Sequence, residues 1–181
     1  RNSGSLPITP RFDISYQFNE RWMGYALASR GARIGKVTAT SRCNEETFGG
    51  GYGADSLWNY EIGTKGSAWS DALTFDVSVY DVEWHNVQAR TYDPCGNSYM
   101  TSAGDVVSRG VDFTLQARPS NRLLLSLDLS TGDVRSRDTV YGAGGFLIAQ
   151  HGAAMSGVPD VPAPWTGALR AQYVYPIRDS L

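Results

Sequence analysis

The chain has 181 residues, with 16 basic and 18 acidic side chains and a net charge of −2. These charges are spread without blocks, so the basic stripe that a nucleic-acid partner requires is missing, and no run of about 18 apolar residues could form a transmembrane helix. Barrel strands stay open, because each crosses a bilayer with only about 9–11 alternating residues. Aromatic residues make up 12% of the chain and glycines number 20. "RNSGSLPITP" at the start lacks the apolar core of a signal peptide.

In chain order, "RFDISYQF" alternates Phe12, Ile14, Tyr16 and Phe18 with Asp13, Ser15 and Gln17. A tight turn at "NER" (Asn19 to Arg21) leads to "WMGYALASR", with Met23, Tyr25 and Leu27 on one side and small residues on the other. After a long connection, about Gly31 to Leu57, "WNYEIGTKG" sets Trp58, Tyr60 and Ile62 against Asn59, Glu61, Gly63 and Lys65. The turn "SAWSDA" (Ser67 to Ala72) joins it to "LTFDVSVY", with Leu73, Phe75, Val77 and Val79 opposite Thr74, Asp76, Ser78 and Tyr80. A second long connection, Trp84 to Ser102, precedes "GVDFTLQAR", where Val111, Phe113, Leu115 and Ala117 oppose Asp112, Thr114, Gln116 and Arg118. "PSN" (Pro119 to Asn121) turns into "RLLLSLDLS", whose Leu123, Leu125, Leu127 and Leu129 fill every second position. A third long connection, Thr131 to Ala163, ends at "WTGALRAQY", with Trp165, Leu169, Ala171 and Tyr173 against Thr166, Arg170 and Gln172. A period of two puts alternate residues on opposite faces of a strand, and no amphipathic helix of comparable length competes. The chain reads as all-β.

Short turns alternate with long, glycine-rich connections such as "FGGGYGADS" and "TYDPCGNSY". That sorting is expected of antiparallel up-and-down strands in a transmembrane barrel, with short turns at one membrane surface and long loops at the other. Aromatic residues cluster at strand ends: Tyr16, Phe18, Trp22, Trp69, Tyr173 and Tyr175 near the short turns, and Trp58, Tyr60, Tyr80 and Trp84 near the long ones. Rings at both ends are the interfacial girdles of such a barrel. The leucines then face lipid and Ser126 and Asp128 face a wet lumen. Leucines turned inward would instead describe a soluble β-sandwich binding module, and a small autonomous outer-membrane barrel of adhesive, structural or porin-like role fits the same strands.

"PRFDISYQFNERWMGYALASRGARIG" resembles a segment of TonB-dependent outer-membrane receptors: a proline-led strand, a tight turn, and a strand ending in S-x-G-x-R-x-G, here Ser29, Gly31, Arg33 and Gly35. "NYEIGTKGSAWSDALTFDVSVYDVEWHNVQ" is similar to that family's next hairpin through Tyr60, Glu61, Gly63, Lys65 and Gln88, with Asn86 where Asp is commoner. "SAGDVVSRGVDFTLQARPSNRLLLSLDLS" resembles the hairpin after it through Ala103, Gly104 and Gly110, with Ser102 and Asp112 replacing the usual Asn and Glu. "GVPDVPAPWTGALRAQYVY" resembles the later strand entered through a proline pair. The resemblance implies that residues 1–181 are about seven strands of a larger outer-membrane β-barrel domain, with neither plug domain nor barrel-closing terminal strand. It also implies import of a scarce ligand such as an iron–siderophore complex. The partners would be outer-membrane lipid, the plug and remaining strands of the parent chain, a TonB energising complex and a small-molecule ligand. The location would be the outer membrane of a Gram-negative bacterium.

No constellation points to an enzyme. His85 and His151 lie in long connections without a partner at metal-ligand spacing, so neither metal nor cofactor is expected. "FGGGYG" precedes no helix and no Lys-Ser/Thr, which disfavours a phosphate cradle and leaves a mobile loop. Asp81 and Glu83 share a strand face but no cleft. Candidate ligand contacts are Arg33, Arg42, Tyr52, Trp84 and Tyr92 around the long connections and Glu61, Asp112 and Arg118 toward the lumen, among further lumen polar groups Asp13, Gln17, Lys65, Asp76, Gln116 and Asp128. Cys43 and Cys95 match no metal spacing and, read alone, are either free thiols or a disulfide. Both fall in consecutive long connections assigned to the exterior, where disulfides persist, so a Cys43–Cys95 bridge is expected.

Overall fold

A computed structural model describes residues 7–142, 145, 147–154 and 163–175. The strands are β1 (Arg11–Asn19), β2 (Trp22–Arg33), β3 (Thr40–Cys43), β4 (Glu46–Gly49), β5 (Asp55–Ala68), β6 (Leu73–His85) and β7 (Gln88–Tyr92). They continue as β8 (Ser98–Ser102), β9 (Val106–Ser120), β10 (Leu123–Ser136), β11 (Val140–Tyr141), β12 (Leu147–Ala149) and β13 (Trp165–Tyr173). Seven of them form one antiparallel sheet in the order β1-β2-β5-β6-β9-β10-β13, so each wall strand pairs with the next in sequence. The other six make three hairpins, β3-β4, β7-β8 and β11-β12, one inside each long connection. The long connections are therefore partly strand. The proline pair, Pro159 and Pro162, lies outside the described residues.

Register sorts the two faces. Ala26 pairs with Ile62, Ile62 with Val79, Val79 with Val111, Val111 with Thr131 and Thr131 with Trp165. Paired residues point to the same side, so Phe12, Ile14 and Tyr16, Leu73 to Val79 in alternation, Phe113, Leu115 and the four odd-numbered leucines of β10 share one apolar face. The other face carries Asp13, Gln17, Glu61, Lys65, Asp76, Asp112, Gln116 and Asp128.

The apolar belt climbs across the sheet. Following one paired row, Trp58 on β5 leads through Glu83 and Val107 to Arg135 on β10, whereas Leu127 on β10 leads through Leu115, Phe75 and Gly66 to Trp22 beside the first short turn. A belt that keeps its height while the rows run diagonally through it requires tilted strands, as closure of a sheet into a barrel demands.

One expectation is corrected by this register. Tyr80 and Trp84, assigned to the girdle, lie on the polar face, because they alternate with Val79 and Glu83. On β2 the larger residues Met23, Tyr25 and Leu27 also take the polar face, and Gly24, Ala26 and Ala28 take the apolar one. Trp58 and Tyr60 do stand on the apolar face, ring centroids 5.9 Å apart and nearly parallel.

Among the described residues, the buried apolar side chains are not beneath the sheet. Cys43, Phe48, Val87, Ala103, Val106 and Ala149 all sit in or beside the long connections. The wall itself has two dressed faces, and the packed core belongs to a cap at the long-connection end.

Candidate functional site

Where the cap meets the wall, Asp55 opens β5 with 3% of its surface exposed. Its carboxylate accepts from Arg33 Nε at 3.1 Å, from Trp84 Nε1 at 3.0 Å and from the Gln88 amide at 3.3 Å. The Arg33 guanidinium also lies 4.9 Å over the Trp84 ring, while half its side chain stays exposed. A desolvated carboxylate held by donors from three residues fixes both the arginine and the indole in one pose. Arg33 and Trp84 are thus brought together, and Asp55, their organiser, was missed. Its signal was the register: Asp55 is the partner of Arg33 across β2-β5.

Farther along the polar face, Tyr25 Oη donates to Glu61 Oε1 at 2.7 Å, and Lys65 Nζ meets Asp76 Oδ2 at 2.7 Å while lying 5.1 Å over the Tyr25 ring. Ser130 Oγ donates to Asp112 at 2.5 Å and Thr114 Oγ1 to Asp128 at 2.9 Å. Arg118 stands at the opposite, short-turn end, where its backbone amide donates to Ala72. Arg42 and Tyr92 are exposed on the β3-β4 and β7-β8 hairpins, and Tyr52 is half-buried, paired through its backbone with Lys36. The eight predicted contacts therefore fall into separate stations along one face and its cap, and do not converge on one point.

The cap is built by cross-links between the long connections. Cys43 and Cys95 form a disulfide with Cα atoms 5.9 Å apart. Beside it Phe48, 2% exposed, packs 6.0 Å from the Tyr99 ring, and Ser41 Oγ donates to Asp93 at 3.0 Å. Gln88 Nε2 donates to the Ile34 and Gly53 carbonyls, and Asn86 Nδ2 to Ala54. The third connection joins through Asp105, whose amide donates to Asp138 Oδ2 at 2.7 Å and whose carbonyl accepts from the Arg137 amide. The glycine-rich tip is thus no free loop. Gly49, Gly50 and Gly51 take positive φ, and only glycine fits at position 51, where a Cβ would lie 2.8 Å from the Lys36 carbonyl oxygen.

Asp93 organises the β7-β8 turn. Its carboxylate accepts from the Cys95 and Asn97 amides at 3.0 and 2.9 Å and from Asn97 Nδ2 at 2.9 Å. Burial alone would raise this carboxyl, but the hydrogen bonds from Asn97, Ser41 and Cys95 outweigh it and hold Asp93 below the usual carboxylate range. Asp105 behaves likewise: burial pushes it up, and the Asn86 amide and His85 hold it lower than an ordinary aspartate. Asp-Pro-Cys-Gly-Asn is a turn signature, so Asp93 was readable from sequence. Cys43, Asp93 and Cys95 offer donor atoms within 4.8 Å of one another, but the sulfurs are bonded to each other and supply no thiolate.

Comparison with known proteins places this geometry. The family model "TonB dependent receptor-like, beta-barrel" matches residues 2–178. The ferric yersiniabactin uptake receptor FyuA from Yersinia pestis superposes with a TM-score of 0.65 at 16% identity, over 93% of this chain and 23% of that one. The FrpB iron transporter from Neisseria meningitidis gives 0.55 at 16% identity over 89% of this chain and 24% of its own. The siderophore receptor PirA from Pseudomonas aeruginosa gives 0.52 at 13% identity over 71% and 28%. The chain spans about a quarter of the length of these structures.

Proposed function

Because this chain belongs to the TonB-dependent receptor β-barrel family, we propose that it supplies seven consecutive wall strands and three exterior loops of an energised outer-membrane importer in a Gram-negative bacterium. Its cargo is a scarce ligand such as an iron–siderophore complex. Residues 1–181 belong wholly to the barrel domain, and the plug, the remaining strands and the TonB energising complex act through the parent protein. The role is transport, not catalysis. One observation carries the reading: a sequence-ordered antiparallel sheet with an apolar belt on one face and titratable groups on the other.

In this reading the Arg33–Trp84 pair, with half of the guanidinium exposed, faces the route that a ligand takes from the cap into the lumen. A cation stacked on an indole presents charge and a π-face together, which suits an anionic aromatic chelate. Arg42 and Tyr92 on the hairpins would meet the ligand earlier. The test is uptake by cells carrying the intact receptor, offered ferric siderophores, with and without the energising complex. Energy-dependent uptake weakened by Tyr92→Ala or Arg42→Ala is expected. Passive flux of small solutes would indicate a porin, and no uptake of any substrate would favour an adhesive or structural barrel.

A further inference from the structure

The described residues hold two buried carboxylates, Asp55 and Asp93, 3% and 4% exposed. Asp55 has its cation in Arg33, whereas no Lys, Arg or His side chain comes within ion-pair distance of Asp93 among the described residues. A buried charge is ordinarily paired or coordinated to a metal. Hydrogen bonds from Ser41, Cys95 and Asn97 keep Asp93 ionised against its burial. Its charge is felt nearby: burial, and after it Asp93, pushes the Tyr99 phenol up. Sulfur lies on its other side. The Cys43 and Cys95 Sγ atoms and a carboxylate oxygen of Asp93 are all within 4.8 Å of one another, with Cys43 buried and Cys95 exposed.

We propose that opening of the Cys43–Cys95 bridge turns this cluster into a site for one thiophilic divalent cation such as zinc, which then replaces the bridge as the cross-link between the β3-β4 and β7-β8 hairpins. The site stands on the cap alone and does not depend on what the importer carries. An external dithiol supplies the two electrons. One of its thiolates attacks the exposed Cys95 sulfur, and Cys43 leaves as a thiolate. The second reductant thiolate then displaces Cys95, and the reductant closes into its own cyclic disulfide. Without a cation, the freed Cys43 thiolate lies beside a buried carboxylate, and like charges disfavour each other. A cation reverses that sign. It forms two metal–sulfur bonds as both cysteines release their protons, and Asp93 adds an oxygen ligand with no proton to lose. Water reaches the exposed Cys95 side and completes a tetrahedral set. The hydrogen bonds from Ser41 and Asn97 aim the carboxylate, as the outer shell of a metal site does.

The test uses the intact receptor in detergent, reduced with a water-soluble phosphine, which takes up oxygen from water, leaves two cysteine thiols and adds no competing thiol. Cadmium is the probe, read by cadmium–thiolate charge-transfer absorption. Reduced wild type should bind one more cadmium per chain than the Cys43→Ser, Cys95→Ser double variant, and the oxidised protein should match that variant. Asp93→Asn should weaken binding by roughly tenfold or more while still re-forming its bridge on oxidation, which shows that its hairpins still meet. In wild type, where folding is not at issue, reduction should speed proteolysis between residues 34 and 105, cadmium should restore the protection, and a chelator should remove it again. No cadmium difference between reduced wild type and the double variant, unchanged affinity in Asp93→Asn, or no recovered protection each overturns the proposal. Siderophore uptake is read separately, so its absence would sink the transport reading alone.

Discussion

Glycines under rings set the local fit of the wall. A Cβ on Gly110 would stand 2.0 Å from the Thr131 carbonyl and 2.4 Å from Tyr80 Oη, and one on Gly63 would lie 2.5 Å from the Tyr25 ring. Gly66 sits in the same way against Phe75, so the Y-E-x-G-x-K pattern records an aromatic ring folded across a neighbouring strand. Gly110→Ala should cost about 1–3 kcal/mol through overpacking against backbone. Gly24→Ala should cost less, because the nearest group to its Cβ would be the movable Phe18 ring at 3.1 Å, with the Gly63 carbonyl at an ordinary 3.8 Å. Urea unfolding of the intact barrel in lipid compares the two, and a larger loss at Gly24 would contradict this packing. A second residue-scale prediction concerns Asp93. Its folded pKa is depressed, so its stabilisation is present above the unfolded aspartate value of about 3.9 and vanishes as pH falls through the lower folded value. Hydrogen exchange in β7-β8 should be the same at pH 7 and pH 5, after correction for intrinsic rates, and rise only in strong acid. Opening between pH 7 and 5 would show that another group controls the turn.

Among elements, β10 gives the sharpest contrast. Leu125 faces outward in the middle of the leucine run, and Leu125→Arg should cost about 2–4 kcal/mol near the bilayer midplane. Gln116→Arg on the polar face of β9 should cost far less; Ser126, 9% exposed beside Arg170, is too crowded to serve as that comparison. Equal losses would mean that both faces meet the same medium. The β3-β4 and β7-β8 hairpins make a separate case. Phe48→Ala should loosen the cap by about 3–5 kcal/mol, read as faster proteolysis between residues 34 and 105, while the wall stays heat-modifiable. The strands were legible because most wall strands alternate apolar and polar residues with a period of two. The cap was legible only at its expected Cys43–Cys95 bridge: its hairpins are short, and Phe48 meeting Tyr99 is a contact between distant segments that no local pattern encodes. Trp84 and Tyr80 misled for a related reason, since an aromatic ring near a strand end fits a girdle as well as a lumen until register assigns its face.

At the scale of the whole molecule, the sheet ends in two edges, β1 and β13, each paired on one side only among the described residues. Open edges and an apolar outer face should make these 181 residues aggregate or require detergent when expressed alone. A monodisperse, detergent-free monomer with a cooperative melt would instead favour a soluble sandwich. The central claim is that the odd-numbered residues of β10 face lipid and the even-numbered ones face a watery lumen. Nitroxide labels placed singly from position 123 to 130 in the intact receptor, reconstituted in liposomes, read this directly through collisions with oxygen and with a water-soluble nickel chelate. The account predicts oxygen maxima at Leu123, Leu125, Leu127 and Leu129 and nickel maxima at Leu124, Ser126, Asp128 and Ser130. A flat profile, or one with the two phases exchanged, would contradict it.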